Sequence, residues 1–208
     1  MANAERQFAC RDPKTAYECA RRAGPHDHTR LVACRDPKYA YRYAKDVDCI
    51  PRADTRAAAS RDPKWAYEYA LYVDRGPHDT TRMGACRQPN WAYWYAKDVD
   101  NGPYDTTRTA ARAVPYTACW YAEYVDKCPR DDTRMAVCGA PHRAYQYAQK
   151  VDKCPRADTR EAACSNPQSA YLYAKHVDKG ARDDTRAAAY GDADNTARYC
   201  TTFGLGSL

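Results

Sequence analysis

The chain repeats itself from residue 31 to residue 186 without an insertion or a deletion. Six repeats, 31–56, 57–82, 83–108, 109–134, 135–160 and 161–186, cover 156 residues, so each has 26 residues. A shorter repeat at 7–30 precedes them, and a degenerate one runs from Ala187 into the Gly-rich tail that ends at Leu208. Terminal repeats of such arrays are atypical because they face water on one side. We therefore predict a single repeat domain over 1–208, with an N-terminal cap at 1–30, six repeats at 31–186, and a C-terminal cap and tail at 187–208.

The first half of each repeat predicts a helix. A proline recurs in every repeat and often follows an aspartate, as in Asp62-Pro63. Asp then Pro is typical of an N-cap followed by the first helical residue, since proline lacks the N–H group that would be unpaired there. The segment Pro63 to Asp74 places apolar residues on one helical face of about 12 residues: Ala66, Tyr69, Ala70 and Val73.

The second half of each repeat predicts another, shorter helix. A second proline, such as Pro51 or Pro129, ends the first helix and starts the next one. Acidic residues follow in its first turn, where the helix dipole favours them. The segment Asp131 to Cys138 illustrates this helix of about 8–10 residues, with buried positions expected at Thr133, Ala136 and Val137.

Two short helices per repeat predict an all-α fold, an α-solenoid of stacked αα-hairpins. Neither helix is long enough to be stable alone, so stacking must supply the burial. Large aliphatic residues are scarce, and Ala and 19 Tyr contribute much of the apolar content. Such a core is thin, which suits an elongated array better than a sphere.

Two motifs carry a resemblance to known repeats. They are Asp-Thr-Arg, at 54–56, 132–134 and 158–160, and Ala-Tyr-x-Tyr-Ala, at 40–44, 66–70, 92–96, 144–148 and 170–174. Over nearly its whole length the chain resembles the repeats of about 25 residues found in uncharacterised bacterial and viral domain-of-unknown-function proteins. The resemblance implies an α-solenoid in the style of HEAT or Sel1-like repeats, and it implies neither catalytic residues nor a particular partner.

An aspartate and an arginine recur in every repeat and predict a structural ladder. A carboxylate at a helix C-terminus is unfavourable unless it has a compensating partner, and an Arg of the same or the next repeat can supply one. Carboxylates lining a groove for a metal or a substrate are the alternative. The predicted ladder comprises Asp48, Asp74, Asp100, Asp126, Asp152 and Asp178, with Arg56, Arg82, Arg108, Arg134, Arg160 and Arg186.

The cysteines and histidines predict no metal site, and no cofactor is expected. Five cysteines share one repeat position and two more share another, at Cys10, Cys34, Cys86, Cys138 and Cys164, and at Cys128 and Cys154. Equivalent positions lie about 10 Å apart, beyond the limit of about 7 Å between Cα atoms for a disulfide. We expect reduced thiols, and we expect His26 and His28 to be loop residues rather than ligands. No catalytic motif occurs and the polar residues recur in every repeat, so we expect no enzyme activity.

The tryptophans do not follow the repeat, and they predict a binding face. Trp65, Trp91, Trp94 and Trp120 all occupy the ninth or twelfth repeat position, opposite the Ala and Val core. The same face includes Tyr39, Tyr72 and Tyr124 and is flanked by Lys38, Lys45, Lys64 and Lys97. An exposed aromatic cluster is typical of an interface. The alternative is that tightly curled repeats bury these rings between helices.

These features predict a protein-binding scaffold, adaptor or inhibitor. Base stacking on the rings would instead indicate a nucleic-acid binder, but the net charge of +6 is spread among 27 acidic residues and forms no basic stripe. Self-assembly as a homo-oligomer is a third possibility. No apolar run approaches the length of about 18 residues needed for a membrane span, and we see no secretory signal at Met1 to Arg6. We expect a cytoplasmic protein in a reducing compartment, which would be the host cytoplasm if the chain is virus-encoded.

Overall fold

The structure is a computed structural model and describes residues 11–205. These residues form successive pairs of short helices, and none of them lies in a β-strand. The first helices of the repeats contain the α-helices Pro13–Ala23, Pro37–Tyr43, Pro63–Tyr69, Pro89–Asp98, Pro115–Trp120, Pro141–Tyr147, Pro167–Tyr173 and Ala193–Phe203. The second helices are Asp27–Ala33, Ala53–Ala59, Asp79–Ala85, Asp105–Ala111, Asp131–Val137, Ala157–Ala163 and Asp183–Ala189. The predicted all-α fold of paired, repeated helices is confirmed.

Most first helices begin with the predicted cap. The carboxylate of Asp62 accepts hydrogen bonds from the backbone N–H groups of Lys64 and Trp65, at 3.0 and 3.2 Å. Pro63 then occupies the first helical turn, where it needs no hydrogen-bond partner. Asp12, Asp36 and Asn166 cap their helices in the same manner. Repeats with Gln88, Val114 or Ala140 at this position have no side-chain cap.

Five of the first helices end in a π-helical turn that the sequence analysis does not predict. The segment Pro63 to Asp74 has the expected length, but only Pro63–Tyr69 is α-helical and Ala70–Asp74 is π-helical. The other π-helical turns are Ala44–Asp48, Tyr121–Asp126, Ala148–Asp152 and Ala174–Asp178. The next residue takes a left-handed conformation, which ends the helix, as at Lys153 with φ 55°.

The second helices are slightly shorter than predicted. Pro51 breaks the chain as expected, but it precedes the N-cap residue Arg52, and the helix begins only at Ala53. The segment Asp131–Val137 has 7 residues. Of its three predicted core residues, Thr133 and Val137 are fully buried and Ala136 is half-buried.

The chain divides into two compact units, unit 1 at Met1–Ala110 and unit 2 at Ala111–Leu208. Within each unit first helices of successive repeats pack side by side, and second helices pack against their own first helices, as Asp79–Ala85 does against Pro63–Tyr69. The cores consist of Ala, Tyr and Val, and the predicted core residues Ala66, Tyr69, Ala70 and Val73 are all buried. Among the described residues, no helix has both the length and the apolar character that a membrane span requires.

Candidate partner-binding face

A buried tyrosine joins consecutive repeats and fixes the backbone on which the outer face is built. The hydroxyl of Tyr69 lies 2.8 Å from the hydroxyl of Thr55, which belongs to the preceding repeat. It also accepts from the N–H of Arg52 at 3.0 Å and donates to the carbonyl of Arg52 at 3.2 Å. The same three bonds recur within unit 1 around Tyr43 and Tyr95, and within unit 2 around Tyr147, Tyr173 and Tyr199. We call this arrangement the Tyr–Thr clasp.

Sequence reasoning missed the clasp, although its signal was present. A tyrosine recurs every 26 residues from residue 43 to residue 199, and a threonine precedes each one by 14 residues. A hydroxyl at a fully buried position needs a partner, because an unpaired one costs about 1–3 kcal/mol. The joint recurrence of Tyr and Thr therefore pointed to a bond between them.

The ladder residues form ion pairs between consecutive repeats. Arg56 donates two hydrogen bonds to Asp74, 18 residues later in the chain, at 3.0 Å from Nε and 2.7 Å from Nη2. Four further pairs follow the same spacing: Arg30 with Asp48, Arg82 with Asp100, Arg134 with Asp152, and Arg160 with Asp178. The hydrogen bond with Asp74 raises the pKa of Arg56. Arg108 and Arg186 also bond to a nearby carboxylate, that of Asp105 and Asp183 respectively.

In unit 1 the ninth-position rings pack on tyrosines of the preceding repeat. Trp65 stacks on Tyr41 and Trp91 packs on Tyr67, with 5.5 Å between ring centroids in both pairs. Tyr39 lies 6.0 Å from Tyr17 in the same way. The sequence places these rings on an exposed face, and the structure leaves all four tryptophans half-buried. Trp65 and Trp91 pack against the core with part of their surface.

The exposed part of this face combines aromatic rings with lysine ammonium groups. Tyr72 is 50% exposed, and the ammonium nitrogen of Lys45 lies 4.7 Å from the centre of its ring. Two further lysines sit on tryptophans at 4.8 Å: Lys64 on Trp65 and Lys97 on Trp94. Lys38 lies 5.6 Å from the ring of Tyr39. We call the set Tyr39, Trp65, Tyr72, Trp91 and Trp94 the unit 1 aromatic face.

In unit 2 the corresponding positions are occupied differently. Trp120 packs closely on Tyr116, with 3.9 Å between ring centroids, and Tyr124 is 45% exposed. Arg143 lies over the ring of Tyr116 and donates to Gln146. Lys150 forms an ion pair with Glu123 at 3.2 Å. Many polar groups of this face therefore bond to one another.

The cysteines divide into two classes. Burial raises the pKa of Cys34, Cys86, Cys138 and Cys164 to about 11, so these thiols stay protonated at neutral pH. Cys49, Cys128 and Cys154 are exposed. No two cysteines in residues 11–205 form a disulfide, and Cys10 lies outside the described residues.

His26 is the N-cap residue of the helix Asp27–Ala33, and His28 lies in the first turn of that helix. The ring Nδ1 of His26 accepts from the N–H of His28 at 3.2 Å. Within residues 11–205 no group of three His, Cys, Asp or Glu side chains has a geometry that could hold a metal ion.

No protein-family model matches the chain, and no curated protein or solved structure is found to be similar to it. The resemblance to short bacterial and viral repeats therefore stays a prediction from the sequence motifs.

Proposed function

We propose that the chain is a non-enzymatic protein-binding repeat protein, a scaffold, adaptor or inhibitor, and that the unit 1 aromatic face is its principal contact surface. The observation that carries the proposal is the combination of exposed Tyr72 with half-buried Trp65, Trp91 and Trp94. Aromatic residues dominate the energetic centres of protein interfaces. Trp120 and Tyr124 form a second, smaller cluster in unit 2.

The packing of the rings supports this role. Stacking on Tyr41 and Tyr67 restricts Trp65 and Trp91 before a partner arrives. A side chain that is already ordered loses less entropy on binding. The rings that the sequence places on the surface therefore form a prepared contact surface, whereas the recurring polar residues are occupied by bonds between repeats.

A reducing compartment, such as the cytoplasm, suits this proposal. The exposed thiols of Cys49, Cys128 and Cys154 are free, and exposed free thiols persist where cellular reductants keep them reduced. A virus-encoded version of the chain would act in the host cytoplasm.

A pull-down from the native lysate tests the function. The tagged protein is compared with a variant that carries Tyr72→Ala and Trp94→Ala, and circular dichroism verifies that the variant is folded. The matched control carries Leu31→Ala and Met83→Ala, which remove two apolar side chains, 66% and 62% exposed, from second helices. We expect the same partner to be retained by the wild type and the control and lost from the aromatic variant.

Equal retention by all three proteins would contradict the assignment of the face. Loss of the partner after nuclease treatment would identify nucleic acid as the bound component and would contradict a protein partner. Recovery of the chain itself as the retained protein would instead indicate self-assembly.

A further inference from the structure

A groove opens in unit 1 between two consecutive π-helical turns, Ala44–Asp48 and Ala70–Asp74. Its volume is about 820 Å³, which is within the range of sites for small ligands and for a few side chains of a peptide. Pro51, Leu71 and Tyr72 supply apolar surface. Tyr72 also belongs to the unit 1 aromatic face, so the groove continues the proposed contact surface.

The acidic residues of the groove are already engaged. Asp74 accepts two hydrogen bonds from Arg56, the shorter at 2.7 Å. Asp46 accepts from the hydroxyl of Tyr17 at 2.6 Å. Both carboxylates line the groove, but their hydrogen-bonding capacity is partly used by neighbouring repeats.

The basic residues of the groove form no close ion pair, although the carboxylates of Asp46 and Glu68 lie near enough to Lys45 to interact with its charge. No carboxylate of the described residues lies within ion-pair distance of Lys45 or of Arg75. The ammonium group of Lys45 contacts only the hydroxyl of Tyr41, at 3.1 Å, and the rings of Tyr41 and Tyr72. Arg75 is exposed and takes a left-handed backbone conformation with φ 56°. The groove thus presents two cations beside apolar surface.

We infer that this groove takes an acidic segment of the partner protein, with a carboxylate bound by Lys45 and Arg75 and an apolar neighbour lying on Leu71 and Tyr72. The inference rests on the proposed function and names the chemistry of its partner. A carboxylate brings one local charge, whereas a nucleic acid would bring a continuous row of phosphates against Asp46 and Asp74. Charge complementarity therefore favours an acidic peptide.

Calorimetric titration with short capped peptides tests the inference. One peptide contains Glu, Leu and Ser, and its twin has Gln in place of every Glu. We expect the acidic peptide to bind more tightly than its twin, and added NaCl to weaken the binding because the charges are screened. Lys45→Gln and Arg75→Gln should each lower the affinity about fivefold, the effect of one exposed ion pair of about 1 kcal/mol.

Unit 2 offers matched controls for both changes. Lys175 occupies the repeat position of Lys45, and Lys179 that of Arg75, with φ 55°. Lys175→Gln and Lys179→Gln remove the same charges far along the chain from the groove and should leave the affinity unchanged. An equal loss in these variants would show that net charge, and not the groove, attracts the peptide, and would overturn the inference.

Further outcomes separate this inference from the proposed function. If both peptides bind equally, and Tyr72→Ala weakens them while Lys45→Gln and Arg75→Gln do not, the aromatic face is a binding surface but its partner is not acidic. Tighter binding of an oligothymidylate than of the acidic peptide would overturn the inference in favour of nucleic acid. If nothing binds, the inference fails, and the pull-down still decides the proposed function.

Discussion

In unit 1 the ninth repeat position holds Tyr39, Trp65 and Trp91, whereas in unit 2 it holds residues such as Arg143 and Ser169. The unit 1 side chains are rings that pack on the preceding repeat, and lysine ammonium groups lie over the aromatic rings of this face. In unit 2, Arg143 donates to a glutamine and Ser169 is buried. The two units therefore differ clearly on this outer face.

The inner bonds show no such divergence. In unit 1 the hydroxyls of Thr55 and Tyr69 are 2.8 Å apart, and in unit 2 those of Thr159 and Tyr173 are 2.9 Å apart. The ion pairs between repeats also keep their spacing of 18 residues in both units. The comparison indicates that the inner positions maintain the stack, while the outer positions are free to acquire a partner.

The largest expected effect is the loss of an ion pair between repeats, which should destabilise both units equally. Asp74→Ala in unit 1 and Asp178→Ala in unit 2 should each lower the free energy of unfolding by about 3 kcal/mol, because a largely buried arginine is left without its carboxylate. Arg56 and Arg160 have no second acidic partner within ion-pair distance among the described residues. Urea denaturation measures the loss.

Asp152→Ala is the matched control for this prediction. Its partner Arg134 also bonds to Asp131, at 2.5 Å, and keeps that contact in the variant. We expect a smaller loss of about 2 kcal/mol, since a charge that retains a partner is less costly than a stranded one. If Asp74→Ala and Asp178→Ala leave the free energy of unfolding unchanged, the ladder does not stabilise the stack.

The Tyr–Thr clasp should give the next largest effect, again in both units. Tyr69→Phe and Tyr173→Phe remove one bond of a buried threonine hydroxyl, which keeps its bond to a backbone carbonyl, and leave the backbone N–H of Arg52 or Arg156 without its partner. We expect each to lower the free energy of unfolding by about 2 kcal/mol. Tyr72→Phe removes the hydroxyl of an exposed ring and should change stability by less than about 0.5 kcal/mol. A clear difference between Tyr69→Phe and Tyr173→Phe would contradict the equivalence of the inner bonds.

Most of the helical fold could be predicted because the repeat makes the same evidence recur. Asp62 followed by Pro63 predicts a capped helix start, and Ala66, Tyr69 and Val73 predict its buried face, as observed. The π-helical turn could not be predicted in this way. The left-handed residue after it is lysine, cysteine or arginine, so the glycine that usually indicates such a turn is absent.

The candidate site was predictable in outline but not in detail. Helical periodicity places Trp65 and Trp91 opposite the Ala core, on the outer side of the first helices. Periodicity within one helix carries no information about the preceding repeat, whose Tyr41 and Tyr67 cover part of each tryptophan ring. The groove beside Tyr72 depends on the path of two π-helical turns, and it therefore could not be predicted from the sequence either.

Two tryptophans of unit 1 differ in how much they contact the core, so their removal should have different effects on stability. Trp65 packs against the core, whereas Trp94 packs on Tyr93 and lies under Lys97. Trp65→Ala should lower the free energy of unfolding by about 2 kcal/mol, roughly half the cost for a fully buried ring. Trp94→Ala should cost about 1 kcal/mol, close to that of a surface change. Losses of 3 kcal/mol or more at both sites, on the order of a full core truncation, would assign the rings to the core and remove Trp94 from the binding face.

The smallest expected effect concerns the left-handed residue after the first helix, where the two units again differ. In unit 2 this position holds Lys127, Lys153 and Lys179. In unit 1 the same repeat position holds Asn101 in one repeat, and all four residues have φ near 55°. A left-handed conformation costs most side chains about 1–2 kcal/mol, and glycine avoids that cost but loses about 0.5–1 kcal/mol in backbone entropy.

Lys153→Gly should therefore raise the free energy of unfolding by about 0.5 kcal/mol net. Asn101→Gly should give no gain, because asparagine tolerates the left-handed conformation well. Urea denaturation of both variants, with each measurement made at least three times and averaged, resolves the difference. A loss of stability in Lys153→Gly would mean that the lysine side chain contributes a contact that outweighs its backbone strain. The basic residues at the π-helical turns of unit 2 would then belong with its inner, stabilising positions rather than with its variable outer ones.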